Sequence, residues 1–166
     1  MFIVLVSICG SIFCVPQLRC DAAQWEPPPV PAKELKDVRC IVEAKRSVQA
    51  KFHLRFRDGW VYFSSDSALQ RYKAKKKKYS PEANHQLVAT GQYRQRACPL
   101  SGEAIEKDFP TVSVGDVKLR VLCSDCAADL GKRSREDQIR YVFDAEGFQF
   151  GDFVAVKRPK SETSGR

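Results

Sequence analysis

The chain has 166 residues, 29% of them charged and 43% hydrophobic, with ten Phe and two Trp. That length holds one ordinary domain or two very small ones, and that composition excludes wholesale disorder. The net charge of +8 favours contact with anionic surfaces, whether nucleic acid, lipid headgroups or acidic polymers, and selects none of them.

Phe2 to Val15 is mostly apolar, about as long as a signal-peptide core and too short for an ordinary bilayer span. No Lys or Arg precedes it, and Ser7, Gly10 and Ser11 dilute it. Cys20-Asp21-Ala22 offers small residues for cleavage after Ala22, so residues 1–22 are expected to be a signal peptide and the protein to be exported, periplasmic or secreted. Export removes Cys9, Cys14 and Cys20 and leaves Cys40, Cys98, Cys123 and Cys126. Those four pair as disulfides in an oxidising compartment, bind a metal as thiolates, or stand as plain buried thiols.

Residues 23–36 contain Pro27, Pro28, Pro29 and Pro31 and read as an extended linker, with the fold beginning near Leu35. Lys51 to Arg57 alternates apolar and polar residues, Asp58-Gly59 is a hairpin turn, and Trp60 to Phe63 is the return strand. Ser64 to Lys78 reads as a helix, capped by Ser64 or Ser65, with Ala68, Leu69 and Tyr72 facing inward. Its end carries Arg71, Lys73, Lys75, Lys76, Lys77 and Lys78. This run is either a solvated helix end, where cations suit the helix dipole, or a patch that binds an acidic protein or surface. The nearby Tyr72 and Tyr79 are too few to argue for base stacking, so specific nucleic-acid binding is not expected.

Ser80-Pro81-Glu82 starts a turn or short helix, and His85 to Arg96 reads as a connecting segment of extended character, broken at Gly91. Thr111–Val114, the turn Gly115-Asp116 and Val117–Val121 form a second hairpin, with a helix expected from Ser124 to Lys132. Ser134 to Asp137 resembles a capping box, after which Gln138 to Phe143 is helix or strand. Glu146-Gly147 is a turn, Phe153–Val156 a last strand, and residues 157–166 a disordered tail.

The strand, turn, strand, helix order occurs twice at a constant offset of 58. Cys40 falls on Cys98, Leu54 on Val112, Phe56 on Val114, Asp58 on Asp116, Val61 on Leu119, Phe63 on Val121 and Ser65 on Cys123, without a gap. The expected fold is therefore α+β, two small tandem ββα units over residues 37–80 and 81–156.

Chemistry concentrates between Cys98 and Cys126. A Cys-x-x-Cys pair at a helix start supplies two thiolates to a tetrahedral ion, and Cys98, on a Pro/Gly turn, supplies a third. Cys40, Asp125, His85 and water are the candidates for a fourth. A redox role for Cys123-Ser124-Asp125-Cys126 is the rival, but the strands before it look like a hairpin rather than a parallel βαβ unit. His53 lies on an alternating strand and His85 beside a linker; no phosphate-binding Gly loop and no Ser/His/Asp set can be assembled, so no enzyme is expected.

Cys98-Pro99-Leu100-Ser101-Gly102, a hairpin, and a strand ending in a Cys-rich element before a helix together resemble the YHS and TRASH-like metal-binding domains. The run Ala83 to Gln92 leading into Cys98 is similar to tandem versions in exported bacterial proteins. The resemblance covers about residues 38 to 150 and implies treble-clef-like ββα units, handling of a soft metal such as zinc or copper, and no catalysis; the candidate ligands are Cys98, Cys123 and Cys126, with Cys40 as a fourth only if the two halves pack face to face. The chain departs from the pattern in both halves. Leu122 replaces one cysteine of the second half; Ser64, Ser65 and Ala68 replace those of the first, where Ile41 to Ala44 also replaces Pro-x-Ser-Gly. The first repeat is thus expected to be degenerate, held by Phe52, Leu54, Phe56, Trp60, Tyr62 and Phe63 rather than by metal. The alternative is an envelope interaction protein, stabilised by disulfides, whose basic helix meets an acidic partner.

Overall fold

The computed structural model describes residues 30–157. The expected signal peptide, the first half of the proline linker and nearly all of the tail lie outside the described residues. Order begins earlier than Leu35: a 3-10 turn at Ala32–Leu35 brings Val30 and Leu35 onto Tyr62, whose hydroxyl accepts the Val30 N–H at 2.6 Å.

Strands β1 (Gln49–Phe56) and β2 (Gly59–Phe63) form the first antiparallel hairpin. Helix α1 (Asp66–Ala74) follows, with Ser65 as its cap and Ala68 and Tyr72 buried. The expected helix to Lys78 ends at Ala74. Lys75 leaves helical backbone, and Lys76–Tyr79 makes a 3-10 turn. Consecutive lysines gain nothing from stacking like charges a turn apart, and the break redirects the chain into α2 (Ser80–Ala89), with Pro81 in its first turn.

Helix α2 corrects the extended reading of His85 to Ala89. Its inward residues include Asn84, His85 and Gln86, so its buried stripe is partly polar and hides the helical period. Each of the three is hydrogen-bonded to distant groups. Asn84 accepts from Arg57 Nε and donates to Phe143 O, both at 2.8 Å. Gln86 accepts the Tyr62 N–H at 2.7 Å and donates to the Tyr62 and Arg39 carbonyls. Two residues along β2, Gln92 accepts from Trp60 N and donates to Trp60 O, each at 2.7 Å. These two glutamines serve the free edge of β2 as a third strand would.

After the left-handed Gly91, β3 (Tyr93–Arg94) pairs with β6 (Val154–Ala155), joining the end of the first half to the end of the second. Strands β4 (Thr111–Val114) and β5 (Val117–Arg120) form the second hairpin, and α3 (Ser124–Gly131), α4 (Arg135–Phe143) and α5 (Ala145–Phe150) follow. The helical alternative is the one realised at Gln138–Phe143, and Phe148–Phe150 are helical as well, because Ser134 and Asp144 cap α4 and α5. Gln95 brackets the Arg120 main chain as Gln92 does that of Trp60.

The coarse class is α+β. The repeat is visible in backbone register. Leu54 pairs with Val61 and Phe56 with Gly59; at the same offset Val112 pairs with Leu119 and Val114 with Val117. Both turns carry a left-handed residue at the same place, Arg57 (φ 53) and Gly115 (φ 60). The correspondence is not free of gaps. Cys40 N–H reaches Arg46 O whereas Cys98 N–H reaches Glu103 O, so the second cysteine loop is one residue shorter. One hydrophobic cluster runs through both halves, from Cys40, Val61, Phe63 and Tyr72 to Val114, Leu119, Val142 and Phe143. Of the six aromatic and aliphatic residues expected to hold the first half, Tyr62 and Phe63 are fully buried and the other four half-buried. Among the described residues no helix is long and apolar enough to cross a membrane.

Candidate metal centre

Cys98 sits on a tight loop. Its N–H donates to Glu103 O at 2.7 Å and its carbonyl accepts the Gly102 N–H at 2.8 Å, with Gly102 left-handed at φ 77. The loop turns the side chain inward, where the sulfur accepts the Leu122 N–H at 3.3 Å. Cys123, in extended backbone, caps α3: its sulfur accepts the Cys126 N–H at 3.3 Å and lies 2.9 Å from Cys126 Sγ. Both members of the pair are half-buried, and all four cysteines among the described residues are free thiols.

The pair splits its acidity. The sulfur contact with Cys126, then the Cys126 N–H, hold the Cys123 thiol below its ordinary value. The same contact, with desolvation, pushes Cys126 up, and Cys98 adds to that. A thiolate on Cys123 facing a thiol on Cys126 satisfies both.

The first half has the same frame with only one of the three sulfurs. Cys40 is buried on the corresponding loop, Ser65 caps α1, and Ala68 stands where the second half has Cys126. Glu43 ties this half together: Ser64 Oγ donates to it, and the Arg71 guanidinium pairs with it. The Ser64 hydrogen bond, then Arg71 and Arg46, hold the Glu43 carboxyl below the usual range. Sequence reasoning missed Glu43; its signal was an acidic residue on the cysteine loop of the half that has serines in place of ligands.

His85 is placed apart from the cysteine pair. It lines a cavity of about 50 Å³ with Cys40, Glu82, Asp116 and Arg135. Its Nε2–H donates to Val114 O at 3.2 Å, and its ring stands edge-on to Phe143. Burial pulls its pKa down to about 4. His53 packs its ring against Trp60 rather than standing free, and Asp125 is exposed. Lys73 and Lys75 to Lys78 are exposed and form no ion pair among the described residues, whereas Arg71 is engaged with Glu43.

The donor chemistry at Cys98, Cys123 and Cys126 suits a thiophilic ion. Among the described residues no three His, Cys, Asp or Glu side chains are already gathered about one point. The cysteine pair is the assembled part, and Cys98 is tied to it through the Leu122 amide. Compared with family models, curated proteins and solved structures, the chain finds no match.

Proposed function

We propose that the chain is an exported, non-catalytic protein whose second half holds a zinc or copper-type ion through Cys98, Cys123 and Cys126. The observation that carries this reading is the sulfur pair, 2.9 Å apart at the first turn of α3, with Cys98 on the adjoining loop. Thiolates select soft and borderline ions over magnesium or calcium. The Cys126 N–H on the Cys123 sulfur favours the deprotonated form that binds them, and the Leu122 N–H holds the Cys98 sulfur in place. The finer fold reading belongs to the same proposal: two treble-clef-like ββα units of YHS type, supported by the shared hairpin register and the shared helix cap. In the first unit Glu43 replaces the ion as the cross-link, and Cys40 serves as core.

Elemental analysis with thiol counting on protein purified without chelator tests this. The expected result is about one ion per chain, lost on Cys123→Ser, since ligand removal abolishes such sites. No metal, with the thiols all reactive, would overturn it. No metal and no free thiols would instead favour the second reading, a disulfide-held envelope interaction protein. That reading has one observation of its own, the exposed turn at Lys75 to Lys78, and it requires binding to an acidic partner that weakens steeply with salt.

A further inference from the structure

The arrangement that suits an ion also suits electron transfer to sulfur. We infer that Cys123 and Cys126 form a reversible dithiol–disulfide couple that exchanges with small-molecule disulfides, while Cys98 and Cys40 stay reduced. The two Sγ atoms lie 2.9 Å apart, so bond formation has to close only about 0.9 Å to reach disulfide length. Both residues are half-exposed and within reach of a small oxidant. Cys98 and Cys40 are 0% and 1% exposed, and the Cys98 sulfur is engaged by the Leu122 N–H. Access and adjacency therefore select one pairing from the four cysteines described.

The reaction runs in two displacements. The Cys123 thiolate attacks one sulfur of a disulfide RSSR; a Cys123–SR bond forms, the S–S bond of the oxidant breaks, and RS⁻ leaves and takes up the proton released from Cys123. The Cys126 sulfur, losing its proton, then attacks Cys123 Sγ and expels the second RS⁻, which takes up that proton. The protein dithiol gives up two electrons and two protons, and RSSR becomes two RSH. Cys123 is the entry point because it lies just outside the helix with the Cys126 N–H directed at its sulfur, whereas Cys126 lies within the first turn. The couple needs no metal, although an ion on the same sulfurs blocks it.

The test uses the full chain, stripped of metal, treated with oxidised glutathione, alkylated under denaturing conditions and mapped by mass spectrometry. The expected product is a Cys123–Cys126 disulfide within one peptide, free of glutathione and reversed by dithiothreitol, with Cys40 and Cys98 alkylated. Cys126→Ser should trap glutathione on Cys123. The inference is overturned by a stable glutathione adduct on Cys123 or Cys126 of the unaltered chain, by a disulfide through Cys98 or Cys40, or by no oxidation of the pair; these readouts stand even where the variant fails to fold. A parallel sample with added zinc separates the two readings. Disulfide formation that zinc does not slow leaves the couple standing and counts against the metal site. Zinc binding in that sample, with no oxidation in the metal-free one, does the reverse.

Discussion

Ser65 and Cys123 hold the same post in the two halves. Their backbones match, at φ −158, ψ 165 and φ −146, ψ 166, and each side chain accepts the N–H three residues on, at 3.2 and 3.3 Å. Sulfur is the weaker acceptor, so the cap alone does not call for cysteine at 123. In metal-free protein Cys123→Ser should therefore keep the stability of the chain, while Cys123→Ala should cost about 1 kcal/mol, the usual loss for a missing cap. Thermal unfolding of the two variants checks this; equal losses would mean the cap contributes nothing.

The two halves should answer differently to metal. Glu43 cross-links the first half through Ser64 and Arg71, and in the proposed reading an ion cross-links the second. Added zinc should slow amide exchange around Cys98 and along α3 and leave Cys40 to Ala74 unchanged. Glu43→Ala should do the opposite, loosening the first half whether or not metal is present. Hydrogen-exchange mass spectrometry reads both; uniform protection throughout would dissociate the ion from Cys98 and α3.

Restoring sulfur to the first half is the converse experiment. Ser65→Cys with Ala68→Cys places a pair at the start of α1, beside the native Cys40. Ala68 is fully buried, so the added sulfur should cost roughly 1–3 kcal/mol by overpacking. The metal content of the folded variant should about double, since the ligand set alone then matches the second half. An unchanged content would show that Glu43 closes the first site to metal.

Gly115 is fixed by two demands. Its φ is 60, and a Cβ there would stand 2.6 Å from His85 Nε2. Arg57, its counterpart in the first turn, carries a side chain on the same left-handed backbone, and its Nε donates to Asn84 Oδ1 of α2. Gly115→Ala should thus destabilise the chain by roughly 1–3 kcal/mol through strain and displacement of His85, measured by denaturant unfolding.

His85 makes the fold acid-sensitive. Its folded pKa, about 4, lies below the ordinary histidine value of 6.5, so the unfolded chain takes up the proton first. Stability from this residue is complete above about pH 6.5 and declines as pH falls towards 4, by on the order of 3 kcal/mol in total. Glu82, raised by burial in the same cavity, opposes this in the carboxylate range, since it binds its proton more readily when folded. Unfolding curves between pH 4 and 7 should show the decline, and His85→Gln should flatten it; a variant that keeps the full slope would assign it elsewhere.

Both hairpins were legible because short apolar strands, alternating except at Trp60–Phe63, flank the turns Asp58-Gly59 and Gly115-Asp116 and leave few other ways to bury those residues. So were α1 and α3, which start at a cap followed by apolar residues at helical spacing. The cysteine loop at Cys98 and the pair at Cys123 and Cys126 were legible for the same local reason. Helix α2 was not. Its inward face carries Asn84, His85 and Gln86, and nothing within the segment shows that a distant Arg57, Val114 or Tyr62 will satisfy them.

By itself, then, the sequence determined the local units and their repetition: two hairpins, two capped helices, and cysteines concentrated in the second copy. The tertiary structure alone decided that the two copies share one core rather than standing as separate units. It also decided that α2 is the element between them, that Glu43 closes the first copy, and that His85 belongs to the cavity it lines with Cys40 and Glu82 and not to the sulfur pair. The physical reason is range. Alternation, turns and caps are fixed by neighbours a few residues apart, whereas a buried polar side chain is acceptable only where the fold brings it a partner from far along the chain.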